Sequence, residues 1–354
     1  MNHTSAASKK VFIAPLDWGL GHATRMVPVI EYYQSAGWEV ILGGEGQSAL
    51  WLKKRFPQLR FLPLPSYKVR YSKSLPFVFQ MIRSLPKIAL SIQRERKKVQ
   101  RYHGQYQFDL ILSDNRYGVR VKGVKSYIFS HQINIRFAFA QAQIFKIQKA
   151  FFRRFTGVLV PDFPLHPNLA GELSALTPKQ QLSVPLYYLG ALSRFSAVHY
   201  TQREKKYKYV AVVSGPAPHK ELFVEQLCEA FSKVKEQTII ITYGLERPRD
   251  LSPQVNFVVA PSDELFLQLV QESECLISRS GYSTLMDLLY LNIPAVLVPT
   301  PGQTEQEYLA KYWGDQGWAQ WFFQEDFAVD LINPPALNLP FGHSSLAVHL
   351  ERIS

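Results

Sequence analysis

Twice in this chain an unbroken apolar run halts at a turn containing glycine, and an amphipathic stretch begins at once. The first instance is KKVFIAPL (residues 9–16), the turn Gly19-Leu20-Gly21-His22, and then ATRMVPVIEYYQSAG (residues 23–37). The second is YKYVAVVSGPAPHKELFVEQLCEAF (residues 207–231). An apolar run with no alternation belongs to a strand buried on both faces, as parallel sheets covered by helices require. Further runs of this kind follow each start. After the first they occupy residues 38–44, 108–114, 126–131 and 156–162; after the second, residues 238–244, 255–261, 274–278 and 294–299. Strands alternating with helices predict doubly wound α/β sheets, and the restart predicts two of them in tandem. A chain of 354 residues, 47% hydrophobic, has the material for two cores. Polar residues interrupt the pattern over residues 187–208, which sets the expected domains at 1–190 and 191–354. For SSLAVHLERI (residues 344–353), a final helix that crosses back to the first domain is one option.

Several classes of function are disfavoured. Cys228 and Cys275 stand far apart without metal-ligand spacing, so a disulfide scaffold or zinc site is not expected. The first apolar run is too short for a signal-peptide core, and no window approaches the roughly 20 apolar residues of a membrane span. A cytoplasmic setting is expected. Neither first turn completes the G-x-G-x-x-G fingerprint, which argues against a nicotinamide or flavin cofactor. The net charge of +12 is uneven. Residues 53–154 carry 23 Lys/Arg against three acids, Glu95, Asp109 and Asp114, while the remainder carries 17 against 25. Such asymmetry points to an anionic partner: nucleic acid, a membrane surface or a phosphorylated substrate.

In a doubly wound sheet, ligands bind beyond the carboxyl ends of the strands. Residues 278–280 lie at one such end, and GYSTLMDLL opens a helix there. Free N–H groups at a helix start attract phosphate. Arg279 could add charge, Gly281 permits close backbone approach, and Ser280, Ser283 and Thr284 supply hydroxyls. Asp287, one turn on, could accept bonds from a ribose diol. Gln303, Gln306 and Glu307 crowd the same rim after the next strand. Any one of these fits an ordinary capped helix and a solvated turn; together they favour a nucleotide site.

At this point the sequence resembles a known family. SRSGYSTLMDLLYLNIPAVLVP, with the later GQTEQEY, is similar to the donor-binding domain of glycosyltransferase family 28. The resemblance implies the GT-B fold, two Rossmann-like domains facing across a cleft. It implies a donor role for the first turn, through Gly19 and Gly21, and places a diphosphate-facing arginine on Arg194. The ribose carboxylate falls on Asp287, with Asp replacing the commoner Glu. The paired glutamines near the donor sugar fall on Gln306 and Glu307, so one is retained. Ser113 to Gly118 and Ser214 to Pro216 match motifs of a group of uncharacterised bacterial glycosyltransferases. This places Asn115 and Arg116 on the acceptor side and Ser214 and Gly215 beside the donor; His131, at the end of SYIFSH, joins the acceptor side where the family carries a comparable His-Glu-Gln-Asn motif, of which SHQIN lacks the glutamate. UDP as the nucleotide and an inverting reaction rest on the resemblance alone, as does a role in the bacterial cell envelope.

The chemistry then divides into two tasks. Leaving-group charge needs stabilisation, assigned to Arg194, the Ser214-Gly215 turn and the Ser280-Gly281 helix start. The chain contains no Asp-x-Asp, so no metal is expected, and no cofactor beyond the nucleotide-sugar substrate. The acceptor hydroxyl needs a base. His22 and Asp114 are the leading candidates and His131 a third. His22 could equally cap its helix, and Asp114 could pair with Arg116. The basic stretches at residues 75–102 and 136–155 mix apolar and cationic side chains, with Pro86 expected to break any continuous helix in the first. They read as amphipathic helices with a solvated face, or as a peripheral patch on anionic lipid at the inner face of the cytoplasmic membrane that serves a lipid-linked acceptor. Nucleic-acid binding is disfavoured, since no recognition module appears. A 2-epimerase, a hydrolase and a catalytically inert sugar-nucleotide binder are the remaining alternatives.

Overall fold

A computed structural model describes residues 8–66, 77–135, 141–178, 180–197, 203–215, 217–342 and 346–354. The chain forms two compact units. Unit 1 draws on Met1–Asn168, Glu172–Arg194 and His343–Ser354; unit 2 on Leu169–Gly171 and Phe195–Gly342.

Unit 1 contains β1 (Lys10–Ala14), α1 (Leu20–Ser35), β2 (Glu39–Gly44), α2 (Gly46–Arg55), β3 (Arg60–Pro63), α3 (Phe77–Tyr106), β4 (Leu110–Asp114), β5 (Lys125–Phe129), α4 (Gln141–Phe152), β6 (Gly157–Val160) and β7 (Leu186–Tyr188). Unit 2 contains β8 (Tyr207–Val213), α5 (His219–Ser232), β9 (Thr238–Thr242), β10 (Val255–Val259), α6 (Asp263–Gln271), β11 (Ser273–Ser278), α7 (Tyr282–Leu291), β12 (Ala295–Leu297), α8 (Thr304–Asp315) and β13 (Gln320–Trp321). A last helix, α9 (Leu346–Ile353), lies in unit 1. It buries Leu350 and Ile353, and Ser354 beyond it meets Tyr33 (Oγ to Oη, 3.1 Å) and accepts from Lys125 Nζ at its carbonyl (2.8 Å).

The sheet orders are β3-β2-β1-β4-β5-β6-β7 and β10-β9-β8-β11-β12-β13. Every strand pairing among the described residues is parallel. In each sheet the first strand sits inside, and the chain winds outward on one side before returning to the other. The reversal falls between β1 and β4 in unit 1 and between β8 and β11 in unit 2. Their registers bring Ala14 level with Ser113, and Val212 level with Ser278. In doubly wound sheets these are the points at which the connecting loops diverge and a ligand crevice forms.

The apolar runs form the cores. Val11 to Ala14 and Leu110 to Leu112 are wholly buried, as are Val210, Ala211 and Ile239 to Ile241. Each fully buried large side chain contributes about 1.5–3 kcal/mol. The Phe12 and Phe108 rings stack at 4.8 Å, and Gly43 leaves the space that the Phe12 ring fills.

Four expectations change here. Pro86 does not end α3, which runs through it, just as α1 runs through Pro28. A proline removes one backbone bond and bends a helix, but packing along the helix can outweigh that cost. On α3 the spacing of Ile92, Glu95 and Val99 buries one face, while Arg94, Arg96, Lys97 and Arg101 are exposed. Second, α1 begins at Leu20, so Gly21 and His22 occupy its first turn rather than the loop before it. Third, the short strands β3, β7 and β13 carry no long apolar run and are held by pairing at or near the sheet edges. Fourth, the division between units falls after Arg194. The chain beyond β7 stays bound to unit 1 through Leu189 N–H to the Val160 carbonyl (2.9 Å) and Gly190 N–H to that of Asp162 (3.0 Å). No helix among the described residues is long and apolar enough to cross a membrane.

Candidate functional site

The unit 1 crevice is built around a carboxylate. Asp114 ends β4 with no solvent exposure, and an anion there needs cationic or N–H partners. Arg25, one turn into α1 and itself buried, supplies them: its Nε donates to Asp114 Oδ2 at 3.0 Å, and its Nη2 donates to Oδ1. His22 stands one turn before Arg25 on the same helix face, with Nδ1 2.9 Å from Asp114 Oδ2 and 2.8 Å from Arg25 Nη2. Arg25 Nη1 lies 3.4 Å from Nδ1 of His131, which follows β5 and is buried. Four residues from three elements thus meet at the point where the sheet reverses. His22, its side chain 18% exposed, opens to solvent; the others do not.

The electrostatics follow from this packing. Burial alone would raise the Asp114 pKa, but the Arg25 charge and His22 override it and hold the carboxyl at about 2. His22 is pushed below its ordinary value, first by burial and then by Arg25, with Asp114 opposing. His22 is therefore a neutral imidazole near neutral pH.

Asn115 turns the chain after β4 in the left-handed region (φ 53°), a conformation asparagine tolerates. With its amide oriented to satisfy both ends, it donates to the Phe129 carbonyl at 3.1 Å and accepts from Arg25 Nη2 at 3.3 Å. Arg116 does not serve the acceptor side, and it does not pair with Asp114. It is wholly buried, with Nε donating to Glu95 Oε1 (2.6 Å), Nη1 to the Pro15 carbonyl (3.3 Å) and Nη2 to that of Pro65 (2.6 Å). Glu95 Oε2 accepts from Gly118 N–H at 2.9 Å. This buried pair ties α3 and the loops after β1, β3 and β4 behind the crevice. Sequence reasoning missed Arg25 and Glu95. The signal for Arg25 was its spacing of three from His22 on a helix. The signal for Glu95 was its isolation, the sole acid in residues 53–108.

Of the other predicted residues in unit 1, Gly19 precedes α1 with φ 134°, and Ser48 Oγ donates to its carbonyl at 2.8 Å. Gly21 accepts from Thr24 Oγ1 at 3.2 Å. Arg194 is half-buried, its guanidinium carbon 5.9 Å from the Trp51 ring centre.

In unit 2 the reversal brings the turn after β8 beside the end of β11. Ser214 and Gly215 are exposed, Gly215 has φ 120°, and Pro216 lies outside the described residues. Gly281 caps α7, with its carbonyl accepting from Thr284 and Leu285 N–H at 2.9 and 3.2 Å. Ser283, Thr284 and Asp287 follow on α7, all half-buried.

Arg279 is the main correction in this unit. It is 4% exposed and turns inward. Its Nη1 donates to the Val298 and Pro299 carbonyls (3.1 and 3.0 Å), and its Nη2 to the His219 carbonyl (3.2 Å) and Gln324 Oε1 (2.8 Å). The guanidinium carbon sits 4.0 Å over the Phe223 ring. A cation this buried takes whatever acceptors the core offers, and here those are neutral. Burial lowers its pKa to about 10, so it remains charged at neutral pH. It contributes charge and joins the starts of α5 and α7 to the end of β12 without presenting its N–H groups to a ligand. Ser280 Oγ is likewise committed, donating to the Gln306 carbonyl at 2.7 Å. Gln306 accepts from Thr300 N–H at 2.9 Å and donates to Gln303 Oε1 at 2.8 Å, while Glu307 accepts from Gly302 N–H at 2.9 Å. These three rim side chains shape the loop before α8, which turns at Gly302 (φ 77°).

Residues 209–334 match the family model described as glycosyltransferase family 28 C-terminal domain. An uncharacterised glycosyltransferase of Methanosarcina acetivorans is 23% identical over 88% of this chain and 85% of its own length. A UDP-N-acetylglucosamine--N-acetylmuramyl-(pentapeptide) pyrophosphoryl-undecaprenol N-acetylglucosamine transferase of Oenococcus oeni is 30% identical over 34% of this chain and 35% of its own. Among solved structures, the glycosyltransferase SnogD of Streptomyces nogalater superposes with a TM-score of 0.62 over 92% of this chain and 89% of its own, at 13% identity. The two parallel α/β units thus have the GT-B fold, and the chain is similar to family 28 glycosyltransferases, with residues 209–334 matching that family's C-terminal domain.

Proposed function

We propose that this family-28-like glycosyltransferase moves a sugar from a nucleotide-diphosphate donor, UDP-linked, to an acceptor hydroxyl with inversion and without a metal. The observation that carries the reading is the His22–Asp114 contact of 2.9 Å at the reversal of the first sheet. It makes one base of two candidates. Asp114, buried and held ionised by Arg25, is too weak a base to take a hydroxyl proton and acts by orienting His22. The Nε2 of His22 is the ring atom left to receive the proton.

The acceptor oxygen then attacks the anomeric carbon as its proton passes to His22. The bond from that carbon to the donor diphosphate breaks, and its electron pair stays with the phosphate oxygen. In unit 2 the start of α7 at Gly281 and the exposed Ser214-Gly215 turn would receive that charge, with the uncompensated charge of Arg279 behind them. Asp287 would accept from the ribose diol. The names of the undecaprenol-acting relatives support a UDP donor and a lipid-linked acceptor. The exposed cations of α3 suit an anionic membrane surface beside such an acceptor.

Calorimetric titration of UDP, GDP, ADP and TDP into the wild-type protein and Asp287→Ala tests the donor assignment. The expected result is selective UDP binding, weakened about tenfold in the variant by loss of charge-assisted hydrogen bonds to the ribose. No nucleotide binding by folded protein would remove the transferase reading for this chain. Binding without UDP release in the presence of donor sugar and acceptor would leave an inert binder.

A further inference from the structure

A count of hydrogen-bond donors at Arg25 bears on which nitrogen of His22 carries the proton. A neutral imidazole has one N–H and one bare nitrogen, and its neighbours select between them. Nδ1 of His22 faces two rivals. Asp114 Oδ2, 2.9 Å away, only accepts; Arg25 Nη2, 2.8 Å away, only donates. If Nδ1 carries the proton it bonds Asp114, and Nε2 is bare and able to act as a base. If Nδ1 is bare it takes a hydrogen from Arg25, and Nε2 carries the proton and cannot accept another.

The Nη2 group has two hydrogens. One goes to Asp114 Oδ1, and two acceptors compete for the second, His22 Nδ1 at 2.8 Å and Asn115 Oδ1 at 3.3 Å. Asn115 thus draws on the one Nη2 hydrogen that could otherwise go wholly to His22. The amide of Asn115 is held in this orientation by its own N–H bond to the Phe129 carbonyl at 3.1 Å. The left-handed backbone at residue 115 (φ 53°) turns the chain at the end of β4, next to Asp114. Arg25 Nε is committed to Asp114 Oδ2 at 3.0 Å, and the Nη1 contact is to His131 Nδ1 at 3.4 Å rather than to His22.

We propose that Asn115, acting through Arg25, is a positioning residue that fixes His22 as its Nδ1–H tautomer and so keeps Nε2 open as the base. This rests on the reading of His22 as the base. Among the described residues, the charged and titratable groups facing His22 are Arg25 on its own helix, Asp114 from β4 and His131 from the end of β5. Asn115 adds no charge. It consumes a donor, and so changes the proton's location rather than the charge around it.

The test is long-range proton–nitrogen NMR of the His22 ring in the full chain without nucleotide, above its titration, where the two tautomers give different nitrogen shifts. The wild type is expected as Nδ1–H. Asn115→Gly, which retains access to the left-handed backbone, releases the Nη2 hydrogen and is expected to shift His22 toward Nε2–H, with kcat falling about tenfold. Asn115→Asp restores an acceptor for Arg25 and is expected to restore the Nδ1–H signature. A wild-type Nε2–H tautomer, or an unchanged tautomer in a folded Asn115→Gly protein, overturns the proposal. Should Asn115→Gly fail to fold, the wild-type tautomer and that of Asn115→Asp decide it alone. Failure of the underlying reading looks different: His22→Gln would retain turnover while the tautomer result stood.

Discussion

Each unit buries arginine at the reversal of its sheet, and the two units satisfy that charge in opposite ways. In unit 1, Arg25 and Arg116 meet the buried carboxylates Asp114 and Glu95. In unit 2, Arg279 meets three backbone carbonyls, an amide oxygen and an aromatic face. The first arrangement neutralises itself. Its local field is short-ranged and sets the basicity of one neighbour, His22. The second leaves a full positive charge beneath the starts of α5 and α7, where it adds to the partial charge of the helix ends. One edge is suited to moving a proton and the other to holding an anion.

Removing the proton acceptor should have the largest effect. His22→Ala is expected to lower kcat by about 10²–10⁴-fold while calorimetric nucleotide affinity is unchanged. A matching loss of affinity would mean that the two edges are not functionally separate.

Next in size is the broken ion pair. Arg116→Met alone removes the guanidinium that buried Glu95 meets at 2.6 Å, at a cost of about 3–5 kcal/mol in urea unfolding. The double variant Arg116→Met/Glu95→Leu should recover most of that loss, because no charge is then stranded. Arg279→Met strands no carboxylate, so a comparable second-site rescue is not available in unit 2.

Acid should separate the edges further. The folded Asp114 pKa of about 2 lies below its ordinary 3.8, so its stabilising contribution is complete above the ordinary value and is lost as pH falls toward about 2. His22, lowered from 6.5, acts with the same sign at higher pH, since the folded protein resists protonating it. Amide protection factors in β1 and β4, exchange rates corrected for the intrinsic pH dependence, should therefore fall as pH falls through these windows, and Asp114→Asn should flatten the lower part of that dependence.

A smaller effect is expected from the charge of unit 2. Arg279→Lys keeps the charge and should bind nucleoside diphosphate nearly as well as wild type. Arg279→Met should lose about tenfold, and the salt dependence of its binding should be shallower. Equal losses in both variants would assign Arg279 to scaffolding alone. The smallest is at the surface. Reversing Arg96 and Lys97 to Glu on α3 should reduce pelleting with anionic vesicles by a few-fold per charge and leave neutral vesicles unaffected.

Most of the fold was legible because its determinants are local. Apolar runs without alternation, glycines at strand ends and helical spacing marked two parallel sheets, and hence the carboxyl ends at which His22, Asp114, Ser278 and Gly281 stand. The short strands β3, β7 and β13 escaped because pairing, rather than composition, holds them. Among site residues, Arg279 and Ser280 were placed at the correct strand end, but their side chains turn inward. No pattern in residues 278–281 says whether an arginine there faces solvent or the core; the carbonyls of Val298, Pro299 and His219 decide it.

The sequence by itself therefore determined the architecture, the strand ends and the family likeness, since each depends on neighbours within a few residues. Only the tertiary structure decided which strands lie side by side, and with that which charges meet. Asp114 is 89 residues from Arg25 and Glu95 is 21 from Arg116. Those pairs form because β4 inserts beside β1 and α3 packs behind them. A buried charge must find its partner across whatever contact the chain reversal creates, and that contact is not encoded at either residue alone.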